Sequence, residues 1–198
     1  MMHSMGRAKG GKRDVVTSAQ GDLRILQAFA NTLDVEAKTD DLSSPSVLAD
    51  WLSSRGLFDP ATGELGSREL ETALGVRAAL RRLLLGNLGV KVDEATFQTL
   101  DRAAAGARFQ LRLTREGSRY EVLSKSFADA LGRIVEIVAT AQQDGLFRRL
   151  KVCASKECRT AFYDASKGGT QRWCLPKCGV KVRVQAYRRT PKYRALYR

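Results

Sequence analysis

Cys153-Ala-Ser-Lys-Glu-Cys158, separated by fifteen residues from Cys174-Leu-Pro-Lys-Cys178-Gly179, contains all four cysteines of the chain. Two close pairs across a short linker are the spacing of a tetrahedral zinc site. Zinc is a borderline-soft ion whose only demand is four ligands, and thiolates suit it. Lys151, Lys156, Arg159, Arg172 and Lys177 lie around the pairs and favour the deprotonated thiol. Two disulfides would need an oxidising compartment, and no secretory signal is read at the start of the chain. A redox dithiol normally has a two-residue gap, and here the gaps are four and three. The expectation is one structural Zn²⁺ held by Cys153, Cys158, Cys174 and Cys178, with no open position for catalysis.

The charge is placed as unevenly as the cysteines. From Arg148 to Arg198 there are fifteen Lys and Arg against Glu157 and Asp164, while residues 1–147 hold nineteen basic and nineteen acidic side chains. The whole net charge of +13 therefore surrounds the cysteines. Nucleic acid, as a polyanion, is the partner such a segment predicts. No apolar run has the length of a membrane span, so no membrane association is expected. The only histidine, His3, lies in a glycine-rich basic start, residues 1–18, that reads as disordered. Without another histidine a Ser-His or Cys-His relay is excluded, and no phosphate loop is present. The sequence does not read as an enzyme.

Residues 19–147 carry helical periodicity. Asp22 is placed to cap a helix with Leu23, Leu26, Ala30 and Leu33 on one face. After a polar loop at 36–43, Ser44-Pro45 opens a second helix, with Gly56 beyond its end. Ser67 is placed to cap a longer helix whose Arg77, Arg81 and Arg82 mostly line the side away from its leucines. Asp93 begins a fourth. Alternation at Phe109, Leu111 and Leu113, then Tyr120 and Val122, predicts one hairpin around Arg115-Glu-Gly117-Ser. Phe127 to about Gln143 is a last amphipathic helix.

Residues 148–198 follow as a four-cysteine module. Leu150 to Val152, Ala161-Phe-Tyr163 and Arg172-Trp173 read as short strands, and the second cysteine pair sits at a helix start. At 100° per residue, Lys177, Lys181, Gln185 and Arg188 share a narrow arc. Val180, Val184 and Tyr187 form the adjacent arc, suited to packing on Phe162 and Trp173. Arg172, Lys192 and Arg194 are placed to grip flanking phosphates. The order of knuckle, hairpin and helix resembles a treble-clef zinc finger. The fold class expected is mainly α with a small β-hairpin: a helical N-terminal domain plus a C-terminal treble-clef-like finger.

The chain resembles the bacterial CGNR zinc-finger family, whose members join an N-terminal ABATE domain to this finger and are described as stress-induced transcription regulators. The finger likeness rests on Cys153-x4-Cys158, Phe162-Tyr163-Asp164, Gln171-Arg172-Trp173-Cys174 and Cys178-Gly179. The N-terminal likeness rests on Asn31-Thr32-Leu33-Asp34, Leu48-Ala-Asp-Trp51-Leu52 and Leu74-Gly-Val-Arg77-Ala-Ala-Leu80-Arg81. It implies four cysteines on zinc and a DNA-binding finger. The naming motif continues Cys-Gly-Asn-Arg, whereas this chain has Val180-Lys181, which lacks arginine's bidentate fork. Asn31, Asp34, Trp51, Arg77 and Arg81 fall at family motif positions and are candidates for a small-molecule effector pocket, with capping and core packing as the alternative. The expectation is a cytoplasmic regulator binding duplex DNA, with an N-terminal domain that senses a ligand or forms a homodimer. An RNA- or ribosome-associated module and a zinc-stapled protein-interaction adaptor are the alternatives.

Overall fold

The structure, a computed structural model, describes residues 16–115 and 117–196. Most of the start that reads as disordered, with His3, lies outside the described residues. Val16 to Ser18 depart from that reading. Val16 is buried beside the cysteines, and the Thr17 carbonyl accepts a hydrogen bond from Tyr163 N at 3.0 Å.

The chain runs α1 (Leu23–Ala30), β1 (Leu33–Asp34), β2 (Thr39–Asp40), α2 (Pro45–Ser53), α3 (Ser67–Gly86), α4 (Glu94–Ala105), β3 (Phe109–Thr114), β4 (Gly117–Val122), α5 (Phe127–Gln143), β5 (Leu150–Val152), β6 (Ala161–Tyr163), α6 (Pro176–Arg188) and α7 (Pro191–Leu196). The strands form three separate two-stranded antiparallel ribbons, β1–β2, β3–β4 and β5–β6. The fold class is therefore as the sequence predicts, mainly helical with small strand pairs and a cysteine cluster at the C-terminal end.

Local chemistry explains most boundaries. Ser44 accepts from Val47 N at 3.3 Å, with Pro45 in the first turn of α2. Asp93 accepts from Thr96 N at 2.9 Å and Ser126 from Asp129 N at 3.2 Å, starting α4 and α5. Two expected caps differ. Asp22 makes no capping bond and instead meets Arg133 of α5 at 2.5 Å. Gly66, not Ser67, precedes α3, and the Glu69 carboxylate accepts from its N–H at 2.8 Å. The polar loop at 36–43 also contains the unforeseen β2, because Asp34 caps the turn by accepting from Glu36 N and Ala37 N at 3.0 Å.

α1, α3 and α5 pack together around Leu26, Phe29, Leu80, Leu84 and Ile134, with Leu48 and Leu52 of α2 against them. Each such side chain contributes about 1.5–3 kcal/mol of burial. This core does not stop at residue 147. Leu150, Val152 and Ala161 belong to it, and β5 lies against α3. Asn87, the cap just after α3, donates to the carbonyls of Phe147 (2.8 Å) and Leu150 (2.7 Å). Asn31, just after α1, donates to Ala161 O at 2.9 Å and accepts from Ala161 N at 2.7 Å. A buried amide thus treats β6 as a neighbouring strand would. Gln27 adds a bond to Ala161 O at 3.3 Å and one to Thr17 O at 3.0 Å, and accepts from Ala19 N at 2.6 Å.

Replacing Asn31 by Leu leaves a buried N–H and C=O of Ala161 short of their partner. Chemical denaturation of the zinc-loaded protein should show a loss of about 2–4 kcal/mol. A loss below about 0.5 kcal/mol would mean that this amide does not fasten β6 to the helices.

Candidate metal centre and basic helix

The turn between β5 and β6 carries Cys153 and Cys158, the approach to α6 carries Cys174, and the first turn of α6 carries Cys178. All four are buried, and their sulfurs lie within 4.8 Å of one another. Cys158 Sγ is 3.5 Å from Cys174 Sγ, which is 3.7 Å from Cys178 Sγ. These separations are far too long for disulfides, and none of the four cysteines is in one. They match the roughly 3.8 Å between sulfurs that zinc–sulfur bonds of about 2.3 Å impose on a tetrahedron. Protons alone suit the cluster badly. Cys153 is pushed up to about 11, chiefly because its thiol donates to Cys158. The hydrogen bonds from Cys153 and Cys174 pull Cys158 down, while Cys153 and Cys158 push Cys174 up. The Cys158 thiolate is thus held against the Cys153 and Cys174 thiols, and a dication is what offsets that burden. The site holds one structural zinc, and its four sulfurs close the coordination sphere.

The walls of the site are polar and satisfied. Asp164, fully buried, accepts from Lys151 Nζ at 2.7 Å, from Ser166 N and Oγ at 3.0 and 2.6 Å, and from Gln171 N at 2.8 Å. Burial alone would raise its pKa, but the bonds led by Lys151 outweigh it and hold it down to about 2. Lys151 also donates to the carbonyls of Gly169 and Gln171 at 2.6 and 3.2 Å. Its charge therefore fixes the 164–171 loop, a role that composition near the cysteines does not suggest. Arg172-Trp173, expected as a strand, is not one; the single ladder-like bond is Ala154 N to Arg172 O at 2.9 Å. Trp173 instead lies on Gly179, where an added Cβ would come within 2.9 Å of its ring. Glycine after Cys178 is a packing requirement of that indole.

α6 is buried only at Cys178 and Gly179, in its first turn, and the rest projects outward. Lys177, Lys181 and Arg188 are exposed, and Gln185 is half-exposed. Glu157, from the knuckle, also occupies this face: its carboxylate meets Lys181 Nζ at 2.6 Å and accepts from Gln185 Nε2 at 2.8 Å. These bonds, led by that from Lys181, hold Glu157 below the usual carboxylate range. The adjacent arc corrects the sequence reading. Val180, Val184 and Tyr187 are 50%, 42% and 48% exposed rather than packed, because Phe162 is sealed inside the knuckle with Val16 and Trp173 is spent on Gly179. Tyr187 meets the Tyr193 ring edge-on at 5.5 Å. Arg172 and Arg194 are exposed, and the Lys192 side chain lies outside those described.

The five candidate pocket residues are not gathered in one cavity. Asn31 and Trp51 line an open cleft of about 350 Å³ with Arg24, Gln27, Asp41 and Arg55. Trp51 packs on Phe29 at 5.4 Å, and the Arg55 guanidinium sits 3.9 Å above its ring. Arg77 is buried, not on an outer side. It makes a two-pronged bond to Asp40 at 2.6 and 2.5 Å and donates to Thr32 Oγ1 at 2.8 Å. Arg81 donates to Ala30 O, to Leu33 O at 3.4 Å and to Arg159 O at 2.9 Å. Burial first, then the nearby Arg77 and Arg159, bring it down to about 10. Asp34 caps its own turn. Arg81 is thus a tie between α3 and the knuckle, and Arg159 at its far end has the left-handed φ of 51°.

A helical domain fused through buried amides to a closed four-thiolate knuckle defines a zinc-finger protein with its own N-terminal scaffold. Residues 149–190 match the CGNR zinc finger. Residues 23–145 match ABATE, described as "Putative stress-induced transcription regulator", and the chain belongs to that family. No curated protein matches it.

Purified protein should carry about one zinc per chain, and Cys158→Ser or Cys174→Ser should abolish it, measured by metal analysis. Because Asp164 stays ionised down to about pH 2, acid should release the zinc through the thiolates first. Full zinc content in either serine variant would overturn the four-cysteine centre.

Proposed function

We propose that the protein is a cytoplasmic transcription regulator that binds duplex DNA through α6 and the residues beside it. The observation that carries this reading is the confinement of the entire net charge to residues 148–198, with four of its exposed cations on a helix that leaves the metal centre. Zinc stabilises a knot too small to bury a core of its own, so that the helix stands on a rigid base. Lys177, Lys181 and Arg188 neutralise phosphates and release counterions, Arg172, Lys192 and Arg194 grip the flanks, and Gln185 reaches a base edge. Reduced thiolates suit a cytoplasmic setting. Among the described residues no helix is long and apolar enough to cross a membrane. The closed coordination sphere supports a binding rather than an enzymatic role.

The helical domain supplies control in this reading. The 350 Å³ cleft is walled by Gln27 and Asn31, whose amides hold β6. A small effector seated there, stacked on Trp51 near Arg24 and Arg55, would meet the residues that fasten the finger. A second reading, RNA or single strands, draws on the exposed Tyr187 and its partner Tyr193, which offer a stacking surface.

Competition binding with duplex DNA, structured RNA and single strands at several salt concentrations separates the readings. Lys177→Ala with Arg188→Ala should weaken duplex binding and flatten the slope of log affinity against log salt by roughly two, with zinc content unchanged. Gln185→Ala should change sequence preference and leave the slope alone. Wild-type affinity and slope in the double variant would remove α6 as the contact.

A further inference from the structure

Opposed residues of an antiparallel pair share a face. The register Phe109↔Val122, Leu111↔Tyr120 and Leu113↔Ser118 therefore gathers five apolar side chains on one side of the β3–β4 ribbon. The other side is polar and internally paired, with Glu121 accepting from Arg119 at 2.7 Å and from Arg112 at 3.4 Å. At its base the apolar side rests on α5, where a Cβ at Gly132 would come within 3.2 Å of Phe109. Farther out the described residues leave it bare: Leu111 and Tyr120 are each 52% exposed and Leu113 is 80% exposed. A two-stranded ribbon is marginal alone in water. Both strands of this one are held at the base by Asp129, which is buried and accepts from Arg108 N at 2.9 Å and from Ser124 Oγ.

We propose that the apolar side of this ribbon is a homodimer interface, packed against the same side of a second copy about a two-fold axis. The surface has the right size for that occupant. Phe109, Leu111, Leu113 and Tyr120 offer on the order of 400 Å² per copy. A standard interface takes about 800 Å² from each partner, a little over half of it nonpolar. Charge points the same way. Residues 109–122 contain three arginines and two glutamates, so two ribbons repel each other little and attract a polyanion far less than α6 does. An isologous contact also closes on itself, covering the patch without leaving a sticky edge for further copies.

The test is the mass of the full-length, zinc-loaded protein by light scattering or sedimentation, without nucleic acid, so that it stands apart from the DNA reading. The wild type should give about 44 kDa, twice the 21.8 kDa chain. Leu111→Glu with Leu113→Glu should give the monomer, with the dissociation constant raised at least ~100-fold by charges forced into an apolar contact. Its zinc content and helical circular dichroism should match the wild type, since both positions are half or more exposed. Gln110→Glu with Thr114→Glu, on the polar side, should remain dimeric. A monomeric wild type, a dimeric Leu111/Leu113 variant, or dissociation of the polar-side control to the same extent would overturn the proposal.

Discussion

The pair of hydrogen bonds between the Asn31 side chain and the backbone of Ala161 is the constraint on which the arrangement depends. β6 is three residues long, and β5 pairs along only one of its edges. The opposite edge would otherwise leave polar groups unsatisfied in a dry interior. Asn31, Gln27 and the carbonyl of Thr17 take them. A side chain that acts as a strand partner costs less chain than a real third strand. It also means that the knuckle is placed by α1 rather than by a linker. Arg81 repeats the device from α3, donating to the carbonyl of Arg159 where the backbone turns left-handed. A non-glycine residue in that region costs about 1–2 kcal/mol, an amount comparable to the net worth of one charge-assisted hydrogen bond.

Two ion pairs, one buried and one partly buried, use their charge for architecture. Arg77 with Asp40 ties α3 to β2, and Lys151 with Asp164 closes the loop that leads to the second cysteine pair. Each is neutral as a unit and hydrogen-bonded to further partners, the condition under which a buried pair is tolerated. The metal centre adds a further local balance. Zinc with four thiolates carries a net charge of −2, and Arg81 and Arg159 lie beside it. Part of the basic excess around the cysteines is therefore answered within the fold. What is left faces outward on and around α6.

The fold was legible wherever one residue type had one physical use. Ser44-Pro45, Asp93 and the alternation from Phe109 to Val122 predict two helix starts and a ribbon, because caps and strand faces depend on near neighbours in the chain. The zinc ligands were legible for the same reason: four thiols at fixed spacing have few other uses. Polar residues that bond across the fold were not. Asn31, Arg77 and Arg81 suggested a pocket because polar groups at helix faces look alike whether they await a ligand or hold a distant backbone. Only a contact 130 residues away in sequence reveals which. Lys151 and Asp164 misled similarly, since a lysine beside cysteines points to thiolate stabilisation and not to a loop thirteen residues on. Val180, Val184 and Tyr187 failed in the opposite sense. Their spacing fits a packed face, but Phe162 and Trp173 already have partners, and helical periodicity cannot register that.

The departure at Val180-Lys181 takes on a definite form in this geometry. Val180 lies half in solvent and makes no polar contact, so an amide at that position would stand on the outer surface of α6. Lys181 meets the Glu157 carboxylate through a single ammonium, and Gln185 holds the other carboxylate oxygen one turn farther on. An arginine at 181 could have met both oxygens with its planar fork and left Gln185 uncommitted. With lysine, the carboxylate is divided between two side chains of α6. If that face meets DNA, phosphates must compete with Glu157 for Lys181, and a base edge must compete with it for Gln185. Binding through this helix then carries an internal competitor of like charge to the DNA backbone. Lys181 is better suited to phosphate than to base reading, because a point charge distinguishes sequence poorly.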